Sequence, residues 1–291
     1  MTLAARPPDF ISTQVSTARR FFLDLQPRTK TGLTVVCGGC EHCAPGYVVD
    51  RRDFPYHGLE FVARGEGRLA LAGRSYPLRP GMVFAYGPGV LHRIENAASA
   101  PMTKYFVDFV GTRAKRLLAR TPLRGWQAVQ VSDPGQVADL FEQLTRNGDA
   151  GSRFSGEICA SLLEVLLLKI AEKAAVGVQD DPRALVAYQR CRRHLQEHFA
   201  TLRTLEEAAA ATHVNAAYLC RLFARFDHVT PYQYLLRLKM NHAAGLLLES
   251  GALVKEVAGQ LGFADPFHFS RVFKATFGLS PRKFVQQARA G

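Results

Sequence analysis

VKEVAGQLGFADPFHFSRVFKATFGLSPRKF, residues 254–284, is the stretch that decides how the C-terminal part of the chain folds. Apolar residues recur at helical spacing up to Leu261, and Gly262 then ends the run. Asp265 followed by proline is typical of a helix start, and the helix that begins there ends before Gly278. Two helices joined by a short turn form a helix-turn-helix, whose second helix enters the major groove of DNA.

The same pattern occurs a second time in the C-terminal part. Arg221-Leu222-Phe223 recurs fifty residues later as Arg271-Val272-Phe273. We therefore predict two helix-turn-helix units, at 205–226 and 254–277, which would enter successive major grooves about 34 Å apart. Each outward arginine would contact a base edge or a phosphate, or would belong to a solvated helix face. The candidate DNA contacts are Ala217, Cys220, Arg221 and Arg225 in the first unit, and Phe267, His268, Arg271 and Lys274 in the second.

Composition and charge agree with this interpretation. The chain has 291 residues, enough for two domains, and residues 183–291 carry 15 Lys and Arg against 7 Asp and Glu, so +8 of the total +12 lies there. No run approaches the roughly 20 apolar residues that span a bilayer, so we expect no membrane partner. The N-terminus lacks a secretion signal, which predicts a cytoplasmic protein, and six cysteines suggest no disulfide framework.

The N-terminal part predicts a small β-barrel followed by two helices. Short apolar runs at 59–63, 68–72, 75–78, 82–86 and 102–109 are separated by glycine and proline, and helical periodicity follows at 136–146 and 155–175. The second helix is apolar around most of its circumference, so it requires cover from the barrel alone or from the barrel and a second subunit. We expect a homodimer. The polar segment 177–183 is the predicted linker between domains 1–176 and 184–291, and the fold class is α+β.

Residues 184–288 resemble the DNA-binding domain of the AraC/XylS family of transcription regulators. The resemblance is carried by Val257-Ala258-x2-Leu261-Gly262-Phe263, by Phe269-Ser270-Arg271-x-Phe273-Lys274, and by Phe277-Gly278-x-Ser280-Pro281-x2-Phe284. It implies a sequence-specific transcriptional regulator, expected to be an activator, with promoter DNA and RNA polymerase as partners. The family's base-contacting positions fall on Ala217, Cys220, Arg221, Phe267, His268 and Arg271. Ala217 and Cys220 are smaller than the side chains often found there, so the first helix-turn-helix unit is expected to contact fewer bases directly.

Residues 34–110 resemble the cupin-type sensory barrel of the same family. Gly65-Glu66-Gly67, Leu78-Arg79-Pro80-Gly81, and Pro88 followed by His92 carry this resemblance. It implies a small-molecule effector bound in the barrel and no enzymatic activity. In metal-using cupins His and Glu residues hold an ion, but here His57 stands alone, so a metal-dependent cupin enzyme is the weaker alternative. The candidate effector-pocket residues are His57, Glu60, Phe61, Phe84, Tyr86, His92 and Phe106.

Three cysteines stand at steps of three in the N-terminal part: Cys37, Cys40 and Cys43. Thiolates that converge in a folded-back loop could hold zinc or another soft metal. This spacing leaves two alternatives open, a thiol-metal or redox-sensing regulator and a reduced structural loop. Beyond these residues, no Ser-His-Asp order or phosphate-cradling loop stands out, so no other catalytic site or cofactor is predicted.

Overall fold

The computed structural model describes residues 11–27, 32–175, 182–227, 229–249 and 252–290. The chain divides into two compact units, Met1–Val176 and Gly177–Gly291. The first contains a β-sheet core with helices and the second is helical, so the predicted α+β class is confirmed. Of the predicted linker 177–183, residues 177–181 lie outside the described residues and the last two are the start of a helix.

The first unit consists of two antiparallel sheets and three helices. Its strands are β1 (Val15–Phe22), β2 (Thr34–Cys43), β3 (Val48–Arg51), β4 (His57–Arg64), β5 (Gly67–Leu71), β6 (Arg74–Leu78), β7 (Met82–Tyr86), β8 (His92–Asn96), β9 (Thr103–Val110), β10 (Ala128–Val131) and β11 (Ala174–Ala175). Its helices are α1 (Thr112–Ala119), α2 (Pro134–Asp149) and α3 (Ser155–Lys173). The five predicted strands and two predicted helices are present, and α1 is an additional helix.

The two sheets enclose one apolar core, which we call the barrel interior. The larger sheet has the order β1-β2-β9-β4-β7-β10-β11, and the smaller has β3-β8-β5-β6. Because successive side chains on a strand point to opposite faces, β7 places Phe84 and Tyr86 in the barrel interior and Val83 on the outer face of the larger sheet. This alternation decides which residues can meet a ligand in the barrel.

The three helices cover the outer face of the larger sheet. On α2, Phe141 stacks on Phe61 of β4 with ring centroids 5.9 Å apart. On α3, Leu163, Leu166 and Ile170 are fully buried against the same face. Each such apolar side chain contributes about 1.5–3 kcal/mol through burial, so the helices and the sheet stabilise one another.

Six strands lie where the sequence predicted none: β1, β2, β3, β8, β10 and β11. The strand β1 lies well before the first predicted strand, and it pairs antiparallel with β2 along most of its length. Its middle residues are exposed, which gives β1 little of the apolar alternation by which a strand is recognised. Residues 37–43 were predicted as a loop, but they lie in β2, which is paired on both sides by β1 and β9.

The second unit consists of seven helices within the described residues: α4 (Pro182–His198), α5 (Leu205–Ala211), α6 (Ala216–Phe226), α7 (Pro231–Glu249), α8 (Val254–Gln260), α9 (Pro266–Phe277) and α10 (Pro281–Ala290). Both predicted helix-turn-helix units are present, as α5–α6 and α8–α9. The turn of each helix-turn-helix unit contains a residue in the left-handed conformation, with φ of 53° at His213 and 76° at Gly262. The capping box of Thr204 and Glu207 is also formed.

The long helix α7 packs against both helix-turn-helix units. Near its start, Tyr234 contacts Phe223 of α6 with ring centroids 5.5 Å apart. Further along, Met240 and Ala243 belong to the buried core around α8 and α9. Between these regions Lys239 is buried, and its Nζ donates hydrogen bonds to the carbonyl oxygens of Leu202 (2.7 Å) and Leu261 (2.6 Å). The helix α7 therefore holds the two helix-turn-helix units together within the second compact unit.

None of the helices in the described part of the chain combines the length and the apolarity that crossing a membrane requires.

Candidate DNA-binding surface and effector site

Helix α9 presents an exposed face of large and basic side chains. Its start is fixed by Asp265, whose carboxylate accepts hydrogen bonds from the backbone N–H groups of Phe267 (2.8 Å) and His268 (2.9 Å). Phe269 anchors the helix because it is fully buried beneath it. On the opposite face Phe267 is 79% exposed, the side chain of Arg271 is 73% exposed, and His268 and Lys274 are exposed as well. These are the four contact residues predicted for this helix.

The Arg271 guanidinium has one long ion pair, 3.8 Å from Nη2 to Oδ2 of Asp265. An exposed pair at this distance stabilises little, so Arg271 is available to a partner. Five N–H donors in a planar fork match the O6 and N7 acceptors of guanine. The geometry of α9 therefore suits the reading of base edges.

Helix α6 presents a different surface. Asn215 caps it by accepting a hydrogen bond from the Tyr218 N–H (2.7 Å), and Ala217, Cys220 and Arg221 are exposed. The Arg221 guanidinium lies 5.5 Å from the Tyr218 ring centre. The fourth predicted residue, Arg225, is half-buried and lies over the Phe226 ring at 5.2 Å. Arg221 is thus the one large, exposed hydrogen-bonding side chain among the four predicted contacts on α6.

In the first unit, the barrel interior contains a buried network of charges. Lys104 Nζ lies 3.0 Å from Glu41 Oε2 and 2.9 Å from Glu60 Oε2. Arg20 pairs with Glu41 at 2.7 Å, and the Tyr86 hydroxyl donates a 2.6 Å hydrogen bond to Glu60. Burial alone would raise the pKa of Glu41, but Lys104 and Arg20 hold it below its usual value. Glu41 is therefore ionised inside the domain.

Two buried polar atoms beside this network have no hydrogen-bond partner among the described residues: Oδ1 of Asp108 and Nε2 of His92. The other oxygen of Asp108 accepts a hydrogen bond from the Cys37 thiol (3.3 Å), and burial raises the pKa of Asp108 to about 7. His92 Nδ1 bonds the Val90 carbonyl oxygen (3.0 Å), and burial lowers the pKa of His92. An unpartnered buried polar atom is costly, so these two atoms are the ones that a ligand in the barrel would satisfy.

Five of the seven predicted effector-pocket residues face the barrel interior: Glu60, Phe84, Tyr86, His92 and Phe106. The other two predictions are wrong, because His57 and Phe61 lie on the outer face of the sheet with Leu59. They alternate with Glu60 along β4, and one strand position separates the two faces. For the same reason His57 and His92 lie on opposite sides of the larger sheet, so these histidines do not form the metal site that a cupin enzyme would require.

The sequence interpretation missed Asp108 and Lys104. A signal for them was present, because two charged residues four positions apart in an otherwise apolar strand must share one face. Both are buried in β9, where charge requires partners.

The cysteine cluster predicted as a metal site is not brought together by the fold. Cys37 and Cys43 face the barrel interior, whereas Cys40 lies on the outer face beside Tyr105. Six residues of strand place the first and last thiols roughly 20 Å apart. Burial raises the pKa of all three thiols, to about 12 for Cys43, which disfavours the thiolate that a metal requires. No group of three metal-ligating side chains occurs within the described ranges.

The chain matches two family models, an AraC-like ligand binding domain over residues 38–167 and a helix-turn-helix domain over residues 208–287. It is 30% identical over 263 residues to an uncharacterized HTH-type transcriptional regulator of Bacillus subtilis, a match that covers 81% of this chain and 89% of the relative. It is 24% identical over 235 residues to the lactose operon transcription activator of Staphylococcus xylosus, covering 78% and 82%. It is 26% identical over 240 residues to the arabinose operon regulatory protein of Escherichia coli, covering 78% and 79%.

These matches confirm the predicted family and the prediction that the chain is not an enzyme. They give no support to the redox-sensing alternative. A helix-turn-helix domain binds DNA, and the domain before it corresponds to one that binds a small-molecule effector. The chain therefore belongs to the AraC/XylS family of transcriptional regulators, with an effector-binding domain followed by a DNA-binding domain.

Proposed function

We propose that α6 and α9 enter neighbouring major grooves of promoter DNA and that α9 carries most of the sequence recognition. The observation that carries this proposal is the contrast between the two exposed faces. Arg221 of α6 corresponds to Arg271 of α9, but where α9 exposes Phe267 and His268, α6 has the small Ala217 and the half-buried Tyr218. Apolar and bidentate contacts to base edges each require a side chain that reaches the groove floor.

The test begins with an operator selected by the full-length protein from a random duplex library. Arg271→Ala should weaken binding by about 1–3 kcal/mol, with the loss confined to one base position. Arg193→Ala, an exposed arginine of α4, is the matched control and should leave affinity unchanged. An equal loss on every sequence would make Arg271 a phosphate contact, and no loss would refute its role.

The proposed effector is a small neutral molecule that carries hydroxyl groups and occupies the barrel interior. Oδ1 of Asp108 offers a hydrogen-bonding partner to a ligand hydroxyl, whereas the buried ammonium of Lys104 is already paired with Glu41 and Glu60 and is not available to an acidic ligand. The stacked rings of Tyr86 and His92, 3.8 Å apart between centroids, offer an aromatic wall. We expect neutral sugars or polyols to raise the melting temperature of the wild type, and Asp108→Asn to abolish this shift. A shift that the variant retains would exclude this site.

Homodimerisation through α3 forms the next part of the proposal. Ile158, Val165 and Leu168 are exposed on this helix, and the surface beside them includes a groove of about 500 Å³. A stripe on one helix suits a second copy of the same chain, because a two-fold axis lets the stripe contact itself. Val165→Glu should give a monomer in analytical ultracentrifugation. Val186→Glu, which changes an exposed valine of α4, is the control that should leave the mass unchanged.

Activation through RNA polymerase, in the cytoplasm where promoter DNA lies, completes the proposed function. Support comes from the lactose operon transcription activator among the relatives. A reporter placed behind the selected operator should be expressed more strongly when the protein is present. Lower expression would identify a repressor instead.

A further inference from the structure

A cavity of about 330 Å³ lies on the outer face of the larger sheet, which is the face opposite the barrel interior. Residues of β4, of α1 and of the segment after α1 line it. Leu118 and Leu123 supply apolar walls, His57 and Trp126 supply aromatic ones, and Lys115 and Arg124 supply positive charge. Its volume falls within the roughly 300–1,000 Å³ of small-molecule sites.

The aromatic wall is tightly constructed. The rings of His57 and Trp126 stack with centroids 6.0 Å apart. Gly87 lies against this stack, where an added Cβ would approach His57 Nδ1 to 2.7 Å and the Trp126 ring to 2.8 Å. Trp126 also has a positive φ of 57°, an unfavourable conformation for a bulky residue. Strained backbone of this kind clusters at ligand sites, because the surrounding structure must hold it in place.

The charged side chains that line the cavity, Lys115 and Arg124, are both positive. Lys115 and Arg124 are both exposed, and neither has a carboxylate partner among the described residues. None of the side chains that line the cavity is acidic. His57 is 6% exposed and its Nδ1 has no hydrogen-bond partner in the described part of the chain. Burial and, to a lesser degree, Lys115 lower the pKa of His57, so its ring is a neutral hydrogen-bonding group.

We propose that this cavity binds a small aromatic carboxylate and is a second ligand site, separate from the barrel interior. The ring of the ligand would pack against Trp126 and the leucines, and its carboxylate would meet Lys115 and Arg124. Such a ligand satisfies the apolar walls and the uncompensated cations together, whereas a neutral sugar leaves the two cations without a counter-charge. The proposal does not depend on an occupant of the barrel.

An ion pair connects the helix that lines the cavity, α1, to α3. Arg113 of α1 forms a 2.7 Å ion pair with Glu164 of α3, so the helix that carries Lys115 is bonded to the helix with the exposed apolar stripe. A ligand that holds α1 against the sheet would bear on this contact. The site thus offers a second chemical input to the same regulator.

The chain contains a single tryptophan, Trp126, so its fluorescence reports on this cavity. Phenylacetate should change the emission of the full-length protein saturably at millimolar concentrations, and the neutral isostere phenylacetamide should bind at least about tenfold more weakly. The double variant Lys115→Gln and Arg124→Gln should lose a similar factor. Arg120→Gln, at an exposed position next to α1 that does not line the cavity, is the matched control and should bind as the wild type does.

The proposal is overturned if phenylacetate gives no saturable signal, if the amide binds as tightly, or if the double variant binds as the wild type does. Circular dichroism checks that the exposed substitutions leave the fold intact. Titrating the same variants with operator DNA separates this result from the function proposed above, since neither cation belongs to α6 or α9. Loss of phenylacetate binding with intact DNA binding would support the second site alone.

Discussion

Replacing Lys104 with methionine is the most informative perturbation of the first unit. The side chain is 4% exposed, and methionine is an unbranched side chain, one atom shorter, without the charge. The change removes both short ion pairs, to Glu41 and to Glu60, together with the contacts that the ammonium makes with the rings of Tyr47 and Phe106 at 5.6 and 5.4 Å. Two buried carboxylates then share the interior without their common cation.

The remaining partners determine the size of the effect. Glu41 keeps its ion pair with Arg20, and Glu60 keeps the hydrogen bond from Tyr86, so the variant carries about one uncompensated buried charge. Breaking one side of a buried pair costs about 3–5 kcal/mol. This is a large share of the 5–15 kcal/mol that stabilises a typical domain. With a urea m-value of about 2 kcal/mol per M, the midpoint should fall by roughly 2 M.

Trp126 fluorescence follows the urea unfolding of the first unit selectively, because the second unit has no tryptophan. Lys169→Met is the control, since its ion pair with Glu172 is at the surface and contributes at most about 1 kcal/mol. Lowering the pH should also reduce the difference in urea midpoint between Lys104→Met and the wild type. Lys104 helps to hold the pKa of Glu41 below its usual value, and this contribution is lost once Glu41 is protonated. A midpoint for Lys104→Met within the range of the control would refute the buried network as a source of stability.

Three further outcomes are expected. Burial raises the folded-state pKa of Asp108 to about 7, so the folded state holds this proton more tightly than the unfolded state does. The free energy of unfolding should therefore fall as the pH rises from about 4 through about 7. Urea titrations at several pH values should show that Asp108→Asn flattens this part of the profile. Lys239→Met leaves the carbonyl oxygens of Leu202 and Leu261 without their hydrogen-bond donor, and should lower the stability of the helical unit by roughly 2–4 kcal/mol in circular-dichroism melts. An effect below about 0.5 kcal/mol would show that these two hydrogen bonds do not stabilise it. Because the three β2 cysteines face different sides of the sheet, EDTA should leave the melting temperature unchanged, and a clear decrease would reopen the question of a metal.

The helical half was predictable from sequence because local interactions fix its boundaries. Thr204, Asn215 and Asp265 each cap a helix within three residues of their own position, and Gly262 and His213 take the left-handed conformation that the turn requires. Such signals lie within a few residues of the chain and can be read directly.

The β-sheet half was harder to predict from sequence, because its strands are defined by pairing with residues that are distant in the chain. The strand β1 has mostly exposed side chains, and only its pairing with β2 makes it a strand. Glu41 and Lys104 are register partners across β2 and β9, and the sequence of either strand alone does not predict this pairing. The wrong placement of His57 and Phe61 arose because their strand was identified and its inward face was not. Sequence thus indicated which residues form β4, whereas only the assembled sheet decides which side each one faces.

The length of α7 sets a constraint on DNA. Its 19 residues span about 28 Å at 1.5 Å per residue, and both ends are locked into neighbouring cores. In the proposed complex the two reading helices therefore cannot adjust their separation, and a site needs its two halves about one helical turn, or roughly 10 base pairs, apart. An insertion of about 5 base pairs would turn one half to the far side of the duplex. In the proposed complex, the distance between the half-sites is therefore fixed by the protein itself.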